Sequence, residues 1–158
     1  MKKALLLIFL FFSFHSYGAG EKIDIPKYDW SWKGFFGTYD RASAQRGLKV
    51  YREVCAGCHS MNYLSYRNLS DLGFSEDHIK AIAAENLILD GPNDEGEMFE
   101  RDGLPSDKFA NPYANDKAAR AANNGAYPPD LSLIVKARPK GADYVKSLLL
   151  GYVDPPKD

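Results

Sequence analysis

The chain contains only two cysteines, and they stand three positions apart with a histidine directly after the second. Residues 55–59 read Cys-Ala-Gly-Cys-His, which is the pattern that attaches haem c. Two thiols at this spacing on a tight turn can reach both vinyl groups of one haem, and the next side chain then points at the iron. We therefore predict one covalent haem held by Cys55 and Cys58, with His59 as its proximal iron ligand.

Three other uses of this cysteine pair are weaker interpretations. A redox dithiol of the thioredoxin type should follow a strand and open a helix, whereas a helical pattern precedes Cys55. A plain disulfide that closes a loop requires only an oxidising compartment. A structural zinc site needs a second pair of ligands, and the sequence has no second pair at a suitable spacing. The histidine after the second cysteine favours haem over all three.

The N-terminus has the order of segments that is typical of a secretory signal peptide. Two lysines at residues 2–3 precede an unbroken apolar run over 4–12, and small residues follow at 18–20. The apolar run is too short to cross a bilayer comfortably as a permanent helix, although an uncleaved anchor is the alternative. We expect a signal peptide over residues 1–19, with cleavage near 18–20, and one haem domain over residues 20–158. Export agrees with haem attachment, because the thioethers form after translocation.

The charge of the chain argues against nucleic-acid partners. Its formal net charge is -1 over 158 residues, so there is no basic field to attract phosphates. No segment after the signal peptide is apolar enough to cross a membrane, and the longest apolar stretches, 131–135 and 148–150, have the size of core segments. As given, the mature chain is expected to be soluble.

Helical periodicity and capping residues predict a mainly α fold with short helices and long loops. The predicted helices cover residues 41–55 after an Asp40 cap, a segment after a Ser75 cap, residues 115–125, and about 142–150. The second helix is expected to bury an apolar face formed by Ile79, Ile82 and Ala83.

Between the helices, three segments are predicted to be irregular. Residues 21–39 mix aromatic side chains with proline and glycine, and we expect them to lie as a strap over the core. Residues 90–114 are interrupted by glycine and proline throughout, so we expect a long loop. Pro128 and Pro129 form a rigid corner, after which Asp130 is expected to cap a short turn.

The sixth iron ligand is not evident from the sequence. Met61 lies two residues after His59 and cannot easily reach the opposite face of the haem. Met98 lies in the acidic loop and is better explained as a gap-filling or surface methionine. His78, near the start of a helix, is better explained as a solvent-facing side chain. None of the three is a convincing ligand.

Several long runs of the sequence resemble the cytochrome c1 family, the haem-c subunits of ubiquinol–cytochrome c oxidoreductase complexes. The similar runs lie at residues 40–69, 90–101, 117–132 and 151–156. The resemblance thus covers nearly all of the chain after the signal peptide. The spacing from Gly47 to Tyr51 also resembles the first helix of class I cytochromes c, where a small residue lets another helix cross closely. The resemblance implies a class I cytochrome c-like haem domain.

The resemblance also implies which further residues line the haem. The positions that match the family's haem pocket are Asn123, Pro128, Pro129, Arg138, Tyr144, Leu148 and Leu149. Arg138 would pair with a haem propionate, which suits its planar guanidinium, and Pro128 and Pro129 would wall the proximal side. On the residues alone, Arg138 would be interpreted as a solvated cation and the two leucines as ordinary core packing.

A member of this family would relay electrons and would not be an enzyme on its own. The resemblance implies transfer from a Rieske iron–sulfur protein to a c-type cytochrome, and assembly with cytochrome b at the periplasmic face of the bacterial inner membrane. The acidic run over residues 90–100 could steer a basic cytochrome, or it could be a solvated loop. The alternatives are a soluble periplasmic class I mono-haem electron carrier and a haem enzyme with an open iron site.

In the family, the methionine ligand and a C-terminal membrane helix follow the Asp-Pro-Pro stretch, which here occupies residues 154–156. The sequence ends at Asp158, so we expect the haem domain to be C-terminally incomplete or shortened. The resemblance therefore assigns neither the sixth ligand nor a membrane anchor to a residue of this chain.

Overall fold

The computed structural model describes residues 24–155, and the predicted signal peptide lies outside this range. The elements in chain order are α1 Arg41–Val50, a π-helical turn Tyr51–Cys55, a 3-10 helix Tyr66–Leu72, α2 Glu76–Ala84, β1 Leu87–Asp90, β2 Phe99–Asp102, α3 Asp116–Ala122, α4 Ile134–Ala137 and α5 Ala142–Leu150. Short helices joined by irregular segments dominate, which confirms the predicted mainly α fold. Within the described residues, no helix has the length and apolar character needed to span a bilayer.

The first helix follows its prediction, but its last turn is widened. Asp40 caps α1 by accepting a hydrogen bond from the backbone N–H of Ser43 at 3.1 Å. The helix continues without a break into the π turn, where the N–H of Ala56 donates to the carbonyl of Tyr51 at 2.7 Å. Single π turns inside helices occur frequently at functional sites, and this one ends at Cys55.

An aromatic cluster forms the centre of the core. The rings of Tyr66 and Phe109 stack with their centroids 4.7 Å apart, and Tyr51 meets Phe109 edge-on at 6.1 Å. All three side chains are buried. The core therefore joins the end of the first helix to the 3-10 helix and to the segment before α3.

Three further helices lie where capping and periodicity predict them. Ser75 caps α2 by accepting a hydrogen bond from the N–H of His78, and Asn115 caps α3 by accepting one from Ala118 at 3.0 Å. The last helix, α5, matches its predicted bounds and ends at Leu150, with Gly151 as its C-cap. The buried face of α2 is formed, as predicted, by Ile79, Ile82 and Ala83.

The 3-10 helix is an element that the helical pattern does not reveal. Ser65 and Asn68 form a reciprocal capping box at its start, with the Ser65 N–H donating to Asn68 Oδ1 at 2.8 Å. Gly73 ends the helix in the left-handed conformation, at a φ of 90°. Three-residue turns repeat with a different period from α-helices, so an apolar pattern of period 3.6 does not detect them.

The expectation of one long loop over residues 90–114 is wrong at its N-terminal end. There β1 and β2 pair as an antiparallel hairpin, with Leu87 opposite Asp102 and Asp90 opposite Phe99. Each strand is short and largely exposed, so no alternation of apolar and polar residues marks it. Arg101 instead fastens the hairpin, since its guanidinium pairs with Asp90 and contacts both carboxylate oxygens of Asp107.

The aromatic strap is irregular, as predicted, but it lies elsewhere than expected. We use the name strap for residues 24–39, which contain turns but no helix or strand. Trp32 stacks between Trp30 and Tyr39, with ring centroids 4.5 Å and 5.0 Å apart. The strap packs against α5, through hydrogen bonds from Tyr28 and Trp30 to Asp143, and not over the Tyr66–Phe109 core. The expected position is therefore corrected.

Candidate haem site

The end of the first helix presents the two thiols. Cys55 closes the π turn, and its carbonyl accepts hydrogen bonds from the N–H groups of Cys58 at 3.0 Å and His59 at 2.8 Å. Both cysteines are free thiols, with Cys55 half-buried and Cys58 exposed. This tight turn places two thiols and an imidazole on one short segment, which is the arrangement that thioether attachment requires.

The ring of His59 is oriented by the chain itself. Its Nδ1 lies 2.8 Å from the backbone carbonyl oxygen of Pro129. A carbonyl oxygen can only accept a hydrogen bond, so Nδ1 carries the proton and the lone pair of Nε2 is free for a metal. Orientation of a ligating imidazole by a backbone carbonyl is a common arrangement at metal sites. Pro129 thus contacts the predicted ligand, and it does so through its carbonyl oxygen.

A group of hydrogen bonds around Asp130 holds the two segments together. Asp130 Oδ2 accepts from the Ser60 hydroxyl at 2.9 Å and from the Asn62 N–H at 2.7 Å. Asp130 Oδ1 accepts from the Ser132 N–H at 2.8 Å, and the Leu131 N–H donates to the Ser60 carbonyl at 2.9 Å. We call these contacts the Asp130 clamp. They fasten the residues after His59 to the residues after Pro129.

The clamp keeps its carboxylate ionised. Burial alone would raise the pKa of Asp130, but hydrogen bonds from Asn62, Ser132 and Ser60 outweigh it and hold the pKa below its ordinary value of 3.8. The predicted cap is confirmed for the turn at Ser132. It does not extend to α4, whose first residue is preceded by Leu133 without a side-chain cap.

Tyr51 supports the same segment from the core side. Its hydroxyl donates to the carbonyl of His59 at 3.1 Å. Burial, followed by the negative charge of Asp130, raises the pKa of Tyr51 from 10.0 to about 12. The hydroxyl therefore stays protonated at neutral pH and remains a donor. No sequence pattern assigns this residue a role at the site.

Two further predicted residues lie at the cavity beside Cys58 and at the end of α3. Pro128 and Cys58 both line a cavity of about 190 Å³. Asn123 is half-buried, and its amide donates to the Tyr113 hydroxyl at 3.1 Å and to the Ala119 carbonyl at 2.7 Å. Asn123 therefore closes the C-terminal end of α3 against the segment that lines the cavity with Cys58.

The other predicted residues lie on α5 and on the turn before it. The Arg138 guanidinium lies over the Tyr144 ring, 5.9 Å from its centroid, which is within the range of a cation–π contact. Leu148 and Leu149 are 48% and 62% exposed. Burial in the core of this chain therefore does not explain the two leucines.

The donors and the surrounding surface fit a covalent haem. Two free thiols and one free imidazole nitrogen form the attachment set, and the segment that orients His59 leads directly into α4 and α5. That region exposes apolar side chains, namely Leu133, Val135, Leu148 and Leu149. Two of them, Val135 and Leu149, line one cavity. Exposed apolar side chains that lie together mark binding surfaces, and a haem is a large flat apolar group that could cover them.

The three methionine and histidine candidates for the sixth ligand lie in different surroundings. Met61 is half-buried and packs against the core, and Met98 is 55% exposed in the hairpin loop. The His78 ring contacts the Ser75 hydroxyl at 3.1 Å at the start of α2. These positions leave the sixth ligand unassigned among the described residues.

Comparison with known proteins decides the family. The sequence profile of the Cytochrome C1 family matches residues 30–158. The chain belongs to the cytochrome c1 family. It is 58% identical over 130 residues to "Cytochrome c1" of Rhodospirillum rubrum. It is also 57% identical over 138 residues to "Cytochrome c1 1, heme protein, mitochondrial" of Arabidopsis thaliana, and 53% identical over 131 residues to "Cytochrome b-c1 complex catalytic subunit, mitochondrial" of Candida albicans.

These three alignments cover 82%, 87% and 83% of this chain but 48%, 45% and 46% of the relatives. The chain therefore spans about half the length of the cytochromes c1 that it matches. The cytochrome c1 family is one of c-type haem proteins, so haem c is the cofactor, as the Cys-x-x-Cys-His motif predicts. The resemblance stated from the sequence is confirmed.

Proposed function

We propose that this chain is the haem-c subunit of a respiratory ubiquinol–cytochrome c reductase complex. In this proposal Cys55 and Cys58 form the two thioethers, and His59 binds the iron through Nε2. The observation that carries the assignment is the contact between His59 Nδ1 and the Pro129 carbonyl at 2.8 Å. Because this contact occupies Nδ1, Nε2 is the ring nitrogen whose lone pair remains free to bind iron. His59 directly follows the second of the two thiols.

Bound haem c would supply one-electron chemistry at a potential that the protein sets. The residues of the chain would hold and screen it. The Asp130 clamp fixes the segment of the proximal ligand, Arg138 would pair with a propionate, and Leu148 and Leu149 would exclude water. Asn123, Pro128 and Tyr144 complete the proposed pocket.

The electron path is part of the proposal. The chain would accept an electron from a Rieske iron–sulfur protein and deliver it to a c-type cytochrome, while assembled with cytochrome b. Support comes from a relative that carries the name of a cytochrome b-c1 complex subunit and from one named "Cytochrome b/c1" in Bradyrhizobium diazoefficiens, 47% identical over 148 residues. The family match favours this role over a soluble class I carrier.

The location follows from the same assignment. With a cleaved signal peptide over residues 1–19, the haem domain would face the periplasm and be held at the inner membrane by its complex. Fractionation of cells that express the natural gene tests this, because the c-type haem should sediment with the membranes. Recovery of the haem in the periplasmic fraction would favour the soluble carrier.

The attachment is tested by producing the full natural gene product together with the haem-attachment machinery. The pyridine haemochrome of the wild type should show covalent haem. Cys55→Ala and Cys58→Ala should each leave one thioether and shift the α band to longer wavelength, and the double variant should lose covalent haem. His59→Ala should lose the proximal ligand, whereas His78→Ala, on an exposed histidine, should match the wild type. A wild type without covalent haem contradicts the proposal.

A further inference from the structure

Asp143, on the first turn of α5, accepts hydrogen bonds from the strap, which is distant in sequence. Its Oδ1 accepts hydrogen bonds from the Trp30 indole N–H at 2.6 Å and the Tyr28 backbone N–H at 3.3 Å. Its Oδ2 lies 3.7 Å from Lys33 Nζ. The residue is only 8% exposed. The indole hydrogen bond is the main reason that the pKa of this carboxyl lies below its ordinary value of 3.8, so Asp143 is a charged acceptor at neutral pH.

Neighbouring residues of α5 extend the same contact along one face of the helix. Lys146 Nζ lies 4.0 Å from the centroid of the Tyr28 ring and 5.3 Å from that of Trp30. The Ser147 hydroxyl donates to the Tyr28 hydroxyl at 3.4 Å. Positions 143, 146 and 147 follow the i, i+3, i+4 spacing of a single helix face. The strap therefore contacts α5 along a defined stripe.

The adjacent face of α5 carries two of the residues proposed to line the haem. Tyr144 and Leu148 are also one helical turn apart, and the Arg138 guanidinium covers the Tyr144 ring. Leu148 is 48% exposed. Because the two faces belong to one rigid helix, the rotation of α5 about its axis that satisfies Asp143 also fixes the direction of Tyr144 and Leu148.

We infer that Asp143 is a positioning residue for the haem environment, acting through its hydrogen bond with Trp30. The bond fixes the rotation of α5 and keeps its apolar face against the cofactor. This inference rests on the proposed function, since it assumes that the Tyr144 and Leu148 face meets the haem. Without the bond, α5 can rotate and admit water to the haem edge. Water stabilises the more highly charged ferric state, so the reduction potential falls.

The test is a potentiometric titration of the c-type α band in membranes that contain the full-length protein in its complex. Trp30→Phe removes the indole N–H and keeps most of the ring, and it should lower the reduction potential. Asp143→Ala should lower it in the same direction, and the double variant should add little, since both changes break one interaction. Asp143→Asn keeps an oxygen acceptor for the indole and should recover part of the shift.

The matched control is Trp32→Phe, the same substitution in the same strap. Trp32 stacks on the rings of Trp30 and Tyr39. The reduction potential of the Trp32→Phe variant should therefore equal that of the wild type. An unchanged potential in Trp30→Phe with normal haem content would overturn the inference, even if the thermal midpoint fell, because a purely structural contact affects only stability. Should Asp143→Ala not accumulate, Trp30→Phe decides alone. A wild type without a c-type α band would overturn the proposed function as well.

Discussion

His59 Nδ1 lies 2.8 Å from the carbonyl oxygen of Pro129, a residue 70 positions later in the chain. One residue further along each segment, the Ser60 hydroxyl bonds to the Asp130 carboxylate, again across 70 positions. The two contacts run in parallel, so the second holds the first in register. The orientation of the proposed iron ligand therefore depends on a carboxylate that does not touch its ring.

Removing that carboxylate should destabilise the haem domain. In Asp130→Asn one oxygen must serve donors from Ser60, Asn62 and Ser132 that two oxygens serve in the wild type. Loss of hydrogen bonds to a charged group costs about 2 kcal/mol, and we expect urea unfolding of the haem-loaded protein to show a loss of this size. Asp71→Asn, on an exposed residue, is the control. Equal unfolding free energies for the two variants would contradict the clamp.

The same residue should make stability depend on acid pH. The folded pKa of Asp130 lies below its ordinary value of 3.8, so its contribution is fully present above about pH 4 and is lost as the pH falls through the folded pKa. Unfolding free energies measured from pH 6 downward should converge for the wild type and Asp130→Asn at the acid end. If the difference in unfolding free energy between the two proteins stays constant down to pH 2, the charge of Asp130 does not contribute to stability.

Tyr51 should make the free energy of unfolding fall as the pH rises into the alkaline range. Its folded pKa is raised from 10.0 to about 12, so the folded state binds this proton more tightly than the unfolded chain does. The stability it contributes is fully present below about pH 10 and is lost as the pH rises to about 12. Tyr51→Phe removes this dependence together with the bond to the His59 carbonyl. The measurement is the unfolding free energy of both proteins between pH 8 and pH 11, where the wild type should fall more steeply.

The sequence predicts the parts of this structure that depend on neighbouring residues. Asp40, Ser75 and Asn115 cap their helices because a side chain and an N–H three positions later are close in any helical start. The attachment motif is likewise local, because its chemistry lies within residues 55–59. These features can be predicted from the sequence because the residues that form them are close together in the chain.

The contacts that the sequence does not predict join distant segments. No local pattern reveals that the Pro129 carbonyl meets His59, or that Asp143 receives the Trp30 indole across 113 positions. The hairpin is missed for a related reason, because Arg101 stabilises it through Asp107 and not through a buried apolar face. Long-range partners of this kind become visible only when the fold places them together.

The aromatic core should be the main source of stability. Phe109 is 6% exposed between Tyr51 and Tyr66, so Phe109→Ala should cost about 3–5 kcal/mol through lost burial and the cavity that it leaves. Phe35→Ala is the matched control, because Phe35 is 95% exposed and its removal should change the unfolding free energy by less than about 0.5 kcal/mol. Urea unfolding of both variants makes the comparison. A loss below 1 kcal/mol for Phe109→Ala would contradict this description of the core.

The acidic loop between β1 and β2 should steer a basic electron acceptor. Asp94, Glu95 and Glu97 are all exposed there, and charges of one sign accelerate association with an oppositely charged partner. Neutralising all three to Asn and Gln should slow the reduction of a basic c-type cytochrome by roughly 10-fold at low salt. Near 0.1 M salt the effect should shrink, because screening then acts over about 10 Å. Stopped-flow reduction of the cytochrome at several ionic strengths measures both quantities.

The control for this experiment neutralises three exposed acidic residues elsewhere, namely Asp71, Glu76 and Asp77 on the 3-10 helix and α2. It changes the net charge of the protein by the same amount as the loop variant. If both variants slow the reaction equally, the total charge and not the loop attracts the cytochrome. If the loop variant alone is slow and only at low salt, the surface between β1 and β2 is the docking site. An unchanged low-salt rate in the loop variant removes docking at this loop.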